Sequence, residues 1–378
     1  MLIKRIITEK IINRLWKGHI LNIFGPRRVG KTTLVTEIAD KFPEKSLYLN
    51  CDEPDIRASL ATKTSTELKS LFGGKTLVVI DEAQRVINIG LTLKLIADTM
   101  PEVQVIATGS SSFDLSNRIA EPLTGRHRDF FLHPLSTEEL YDINSKREEQ
   151  RLLEKRLVYG FYPQVITAPD TAEETLRYIA RDYLFKDVLE YRGIKNSDKL
   201  EKLIQALALQ IGNEVSFNEL STLLEMDKKT VEQYVRILEQ AFVIFRLPPF
   251  FRNRRKELTK MRKIYFWDTG IRNAVIGNFL SLEVRSDIGQ LWENFLISER
   301  RKFLLNQQLD PKQYFWRTYR QEEVDLIEEE TEKINGYEIK WRNKRRQAPK
   351  AWIDAYPEAN WNQITRENYL DFVTLHPK

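Results

Sequence analysis

Cysteine is almost absent: Cys51 is the only one in 378 residues. A chain with a single thiol forms no internal disulfide and no cysteine-based metal cluster, which agrees with a reducing compartment. Long apolar runs are missing too. No stretch approaches the roughly 18 to 20 consecutive apolar residues that a membrane-spanning helix needs, and the opening MLIKRIITEKIINRLWK breaks its apolar positions with charge instead of building a signal-peptide core. The expectation is a cytoplasmic protein with no membrane partner. There is no low-complexity tract and no repeat at solenoid spacing. With 42% hydrophobic and 30% charged residues, the composition is that of an ordinary folded chain. Two or three domains are expected at this length, because one core rarely grows past about 250 to 300 residues.

An excess of either charge is likewise missing from most of the chain. The net charge is +5, and residues 251–378 alone hold 24 Lys and Arg against 19 Asp and Glu, so the first 250 residues sum to zero. A basic surface in the last third attracts phosphate backbones, although an excess of this size is also that of a solvated face. Its densest part is RNRRKELTKMRK at residues 252–263, seven basic residues with one acid. That run reads as an exposed loop or hairpin, with Arg252, Arg254 and Arg255 as candidates for phosphate contact.

What is present begins with a phosphate-binding signal. The short apolar run ILNIF at residues 20–24 leads into Gly25, Pro26, Arg27, Arg28, Val29, Gly30, Lys31, Thr32 and Thr33, and a helical pattern follows through Ala39. Strand, glycine loop and helix stand in the order that a nucleotide's phosphates require. Backbone N–H groups curl around the β-phosphate, Lys31 reaches the β- and γ-phosphates, and the Thr32 hydroxyl is a Mg²⁺ ligand. The run LVVIDE at residues 77–82 reads as a strand buried on both faces and ending in two carboxylates. Asp81 is placed to hold the Mg²⁺ shell and Glu82 to act as general base on the attacking water. A third strand, VQVIA at residues 103–107, ends in Thr108, whose hydroxyl can position that water or sense the γ-phosphate. Arg126, with Arg128 and Arg118 as rivals, is the candidate finger for a nucleotide held by a neighbouring subunit. A structural arginine is the competing reading, and a finger acting in trans implies a homo-oligomer.

Downstream, Ser136 and Glu139 form a capping-box pattern that opens a mainly helical stretch to about Ile211. A second such pattern at Ser216 and Glu219 opens a short helix. Met226 and Asp227 make a turn, and residues 228–238 a second helix with an apolar strand behind it. This is a helix-turn-helix with a wing-like strand, in which Lys228, Lys229, Thr230 and Gln233 would face DNA. A packing or oligomerisation module fits the pattern equally well. In the last region, Asp325 and Glu338 on adjacent strands can share a second Mg²⁺. Lys340 lies on the same strand face as Glu338, and Glu293 on a preceding helix can complete the acidic set. Surface strands also carry Glu-x-Lys pairs for no catalytic reason.

The segments GPRRVGKTTL, LVVIDEAQRV, TGSSSFDLS and EPLTGRHRDFFLHPLS, continuing through KIYFWDTGIRNAVIG, GQLWENFL, EEVDLI and GYEIKW, together resemble the bacterial and archaeal AAA+ ATPases with a C-terminal DUF4143 region. The resemblance covers nearly the whole chain. It implies an α/β protein with an AAA+ P-loop ATPase core at 1–135, a helical lid or linker at 136–211 and a winged-helix module at 212–250. A C-terminal domain similar to restriction endonucleases follows at 251–378. Lys31, Thr32, Asp81 and Glu82 match the nucleotide motifs of that family, and Asp325, Glu338 and Lys340 its nuclease-like motif. The helical lid carries no clear second sensor arginine. ATP and Mg²⁺ are the implied cofactors and DNA the implied partner. An ATP-driven machine acting on DNA, an ATP-gated Mg²⁺-dependent nuclease and a nucleotide-dependent switch for a protein partner all remain open at this point.

Overall fold

A computed structural model of the chain describes residues 3–109, 123–181, 197–250, 262–331, 333–343 and 347–375. Arg118, Ser110, Ser111, Arg252, Arg254 and Arg255 lie outside the described residues. The chain divides into two compact units, one of residues 1–134 with 240–242, the other of residues 135–239 and 243–378. No helix among the described residues is long and apolar enough to cross a membrane.

The first unit holds α1 (Ile7–Ile12), β1 (Ile20–Phe24), α2 (Lys31–Asp40), β2 (Ser46–Asn50), α3 (Pro54–Leu60), α4 (Ser65–Phe72), β3 (Leu77–Asp81), α5 (Ile89–Thr99), β4 (Gln104–Gly109) and β5 (His127–Phe131). Its five strands pair in the order β2-β3-β4-β1-β5, and every pairing is parallel. Parallel strands packed on both faces lose alternation and become continuous apolar runs. Accordingly β1, β3 and β4 are buried at every position. The register aligns Phe24 with Gly109 and Ile80 with Ala107. Gly25, Asp81 and Thr108 therefore gather at one edge of the sheet, beyond the carboxyl ends of three neighbouring strands, where ligands of open α/β sheets bind.

The second unit begins with α6 (Thr137–Tyr141), α7 (Lys146–Tyr159), α8 (Pro163–Thr167), α9 (Ala172–Ile179) and α10 (Ser197–Leu209). Ser136 and Glu139 form the full reciprocal capping box that their spacing announces. Next come β6 (Glu214–Val215), α11 (Phe217–Leu223), α12 (Lys228–Gln240), β7 (Ile244–Leu247) and β8 (Arg262–Phe266), whose strands form an antiparallel sheet in the order β6-β8-β7. Asp227 accepts the Lys229 N–H at 2.9 Å and so caps α12. Val231, Tyr234, Val235 and Leu238 turn inward while Lys228, Lys229 and Gln233 stay exposed. After α13 (Thr269–Val275) the chain runs α14 (Ile288–Gln307), β9 (Lys312–Arg317), β10 (Glu323–Glu330), β11 (Lys333–Ile339), α15 (Lys350–Ala355), β12 (Asn360–Ile364) and α16 (Tyr369–Val373). The sheet order is β12-β11-β10-β9, antiparallel except for the parallel β11–β12 pair that α15 connects. The β9–β10 register shifts between Val324 and Ile327. A shift of this kind re-aims the side chains it contains, and Asp325 lies within it.

Candidate active site

Two glycines shape the loop between β1 and α2. A Cβ on Gly25 would stand 2.1 Å from the carbonyl oxygen of Leu132, so no other residue fits there. Gly30 has φ of +96°, a left-handed conformation that favours glycine, and a Cβ there would meet nothing within 4 Å. Arg28 also turns left-handed, with φ of +63°. Lys31 is buried, and its Nζ donates to the carbonyls of Gly25 and Pro26, each at 2.9 Å. Arg5 holds the loop from behind, donating to the carbonyls of Val29 at 2.8 Å and His133 at 2.7 Å.

Asp81 is the centre of the polar network beside this loop. Its Oδ2 accepts from Thr32 Oγ1 and from the Tyr48 hydroxyl, both at 2.7 Å, and its Oδ1 accepts from Thr108 Oγ1. Thr108 Oγ1 in turn accepts the Glu82 N–H at 3.0 Å. Glu82 adopts a left-handed φ of +53°, which swings its side chain out of the line of β3 at a cost of about 1 kcal/mol or more. Gln84 Nε2 donates to Glu82 Oε2 at 2.5 Å. Burial, then the hydrogen bond to Asp81, push the Tyr48 phenol well above its ordinary range, so it remains an O–H donor. Burial pushes the Cys51 thiol up to about 12, with Asp81 adding to the effect, so this thiol is inert. Sequence reasoning named Lys31, Thr32, Asp81, Glu82 and Thr108. It missed Tyr48 and Arg5, which belong to no contiguous motif.

The residues fit a magnesium nucleotide. The loop has open space beside Gly30, and a hydroxyl and a carboxylate suited to a hard cation meet next to it. Arg126 stands elsewhere. It precedes β5, whose His127 aligns with Ile20 at the start of β1, so about 20 Å of strand separates it from Gly25. It pairs with Asp98 at 2.7 Å. Arg128 follows on β5 and is exposed.

In the second unit, Asp325, Glu338 and Lys340 do come together. Lys340 Nζ lies 3.1 Å from Asp325 Oδ2 and 2.9 Å from Glu338 Oε1, and Asp325 Oδ2 also accepts the Ile339 N–H at 2.7 Å. Glu293 is engaged differently. Its Oε1 accepts from Lys263 Nζ at 2.9 Å and from the Tyr265 hydroxyl at 2.6 Å, and Lys263 also pairs with Glu323. Lys263 was counted in the sequence with an exposed basic loop, yet its side chain is 1% exposed. The carboxylates around it are the reason. Burial opposes the Lys263 charge, but Glu293, Asp325 and Glu323 outweigh it and hold the ammonium above its ordinary range. Burial pushes the Glu293 carboxyl up to about 7, with Lys263 opposing. Asp325 and Glu338 fit a divalent cation as oxygen ligands, because Lys340 is one-third exposed and can turn to water. Glu293 could join them only by leaving the buried Lys263 ammonium, which would keep Glu323 but lose one of its two carboxylate partners. Among the described residues, no group of three or more His, Cys, Asp or Glu is arranged to hold a metal.

Residues 17–141 match the AAA domain family, and residues 288–368 match a domain of unknown function, DUF4143. The chain carries an AAA P-loop domain and a C-terminal DUF4143 region. Residues 150–281 match a second domain of unknown function, DUF8612. An uncharacterized protein of Mycobacterium tuberculosis is 29% identical over 344 residues, which cover 89% of this chain and 74% of that protein. An uncharacterized protein of Methanocaldococcus jannaschii is 27% identical over 383 residues, covering 94% of this chain and 82% of its own length. Among solved structures, a Walker-type ATPase of Pyrococcus abyssi matches with a TM-score of 0.50 at 14% identity, over 72% of this chain and 96% of that one. This last likeness concerns the fold alone.

Proposed function

We propose that this AAA+ protein hydrolyses ATP with Mg²⁺ at the Gly25 loop and uses the cycle to act on DNA. The observation that carries the first half is the carboxylate of Asp81, joined to Thr32 and Thr108 beside Lys31. Magnesium bound there would supply charge neutralisation at the phosphates. Thr32 and Asp81 would hold it, Lys31 would transfer its ammonium from loop carbonyls to phosphate oxygens, and Glu82 would draw the proton from the attacking water. Arg126 and Arg128 cannot reach this chain's own loop, which supports a role towards a nucleotide held by a second copy and hence an oligomer.

Support for DNA comes from the second unit. Helix, strand, two helices and two further strands, with the sheet order β6-β8-β7, support a winged-helix reading. Exposed Lys228, Lys229 and Gln233 stand on the second helix of the pair. The basic run at residues 252–263 lies largely between β7 and β8 in sequence. The expected result is duplex binding that weakens steeply with salt. Lys228→Ala with Lys229→Ala should lower the slope of log K against log salt by about 2, near one unit per phosphate contact. Fluorescence anisotropy with ATP and Mg²⁺ present measures it, and an absence of DNA affinity at low salt sinks this half of the reading.

Cleavage of DNA by the second unit is a second reading. The succession helix, three strands, helix, strand from α14 to β12 and the convergence of Asp325, Glu338 and Lys340 support it. Supercoiled plasmid incubated with the protein and Mg²⁺ decides: nicked product supports cutting, and intact plasmid contradicts it.

A further inference from the structure

Asp81 receives more fixing than a metal-shell carboxylate needs for burial alone. Thr108 and Thr32 already supply one hydroxyl to each oxygen, and Tyr48 adds a third, on the same Oδ2 that Thr32 holds. The third donor comes from the edge strand β2. There Tyr48 aligns with Val79, while the residue opposite Asp81 is Asn50. The phenol therefore reaches forward by two residues, about 6.6 Å of strand, a span that serine or threonine would not cover. Its ring is half exposed, so core packing does not account for the side chain.

We propose that Tyr48 is a positioning residue of the nucleotide site: its hydroxyl fixes Asp81 Oδ2 so that the carboxylate faces the cation carried by the nucleotide. The inference rests on the nucleotide reading above and deepens it. Thr32 would turn an oxygen lone pair to the cation while its O–H still donates to Asp81. Tyr48 adds a second donor to Oδ2 and keeps the carboxylate from rotating away, which leaves the second lone pair of Oδ1, where Thr108 donates, for the cation's shell.

Tyr48→Phe removes the hydroxyl and keeps the ring. Binding of a fluorescent ATP analogue is titrated in EDTA and then against rising Mg²⁺, with the full chain throughout. The expected result is unchanged affinity in EDTA, an unchanged unfolding midpoint, and about a tenfold higher Mg²⁺ concentration at half-saturation. Tyr48→Leu, which loses the ring as well, should show the same Mg²⁺ shift together with a lower midpoint, separating packing from positioning. Equal Mg²⁺ dependence in wild type and Tyr48→Phe overturns the inference and leaves the nucleotide reading intact. An effect of the same size in EDTA overturns it too, because it reports a general structural role. A wild-type chain that binds the analogue in neither condition overturns both.

Discussion

Glu82→Gln should bind ATP as the wild type does and release phosphate about 10²- to 10³-fold more slowly. The substitution keeps the length and shape of the side chain and one oxygen to accept from Gln84, and it removes the charge and the ability to take a proton. The backbone contact to Thr108 comes from the residue 82 N–H and is untouched. So is the left-handed turn that carries the side chain off the end of β3. Phosphate release under single turnover, beside ATP binding measured separately, reads the two effects apart. A variant that hydrolyses at the wild-type rate removes Glu82 from the role of base. One that fails to bind ATP assigns it to the binding machinery.

A second large effect lies far from the chemistry in sequence. Lys263→Met should cost about 3–5 kcal/mol, because it leaves buried Glu293 and its neighbour Glu323 without their ammonium. At about 2–4 °C per kcal/mol for a unit of this size, thermal unfolding should fall by roughly 10 °C. The sign of the pH dependence follows from Glu293, whose folded carboxyl is pushed up to about 7. A raised carboxyl holds its proton in the folded state where the unfolded chain releases it. Stability therefore grows as pH falls from above 7 towards the unfolded value, and is lost in the other direction. Without Lys263 that carboxyl rises further, so acidification from pH 8 to pH 6 should rescue the variant more than the wild type. Adding Glu293→Gln should recover part of the loss, since the uncompensated charge is then gone. A midpoint that does not move with Lys263→Met contradicts the cluster.

The two sites differ in how far they can be read from sequence, for a physical reason. Gly25, Asp81, Glu82 and Thr108 sit where a strand ends, with Lys31 and Thr32 opening the helix that follows the first of them, so an apolar run announces each, and the parallel register then brings the run ends together. Tyr48 lies in the middle of an edge strand, and a tyrosine there has no local signature. Lys263 was misleading because its neighbours in sequence are basic, whereas its neighbours in space are Glu293 and Glu323, 30 and 60 residues further on. Asp325, Glu338 and Lys340 were legible as a group because the β10–β11 hairpin keeps them local. The engagement of Glu293 by Lys263 and Tyr265 was not, since it depends on contacts between β8 and α14.

The most direct test of the central claim is calorimetric titration of the full chain with ATP and Mg²⁺, wild type against Lys31→Ala. Lys31 Nζ donates to two loop carbonyls at 2.9 Å, contacts of the loop itself, so its loss should spare the fold while removing the cation that meets the phosphates. The account predicts one ATP bound per wild-type chain and affinity at least about a hundredfold weaker in Lys31→Ala, with unfolding midpoints alike in the absence of ATP. Equal affinity in the two proteins, or no binding by the wild type at millimolar ATP, would contradict it.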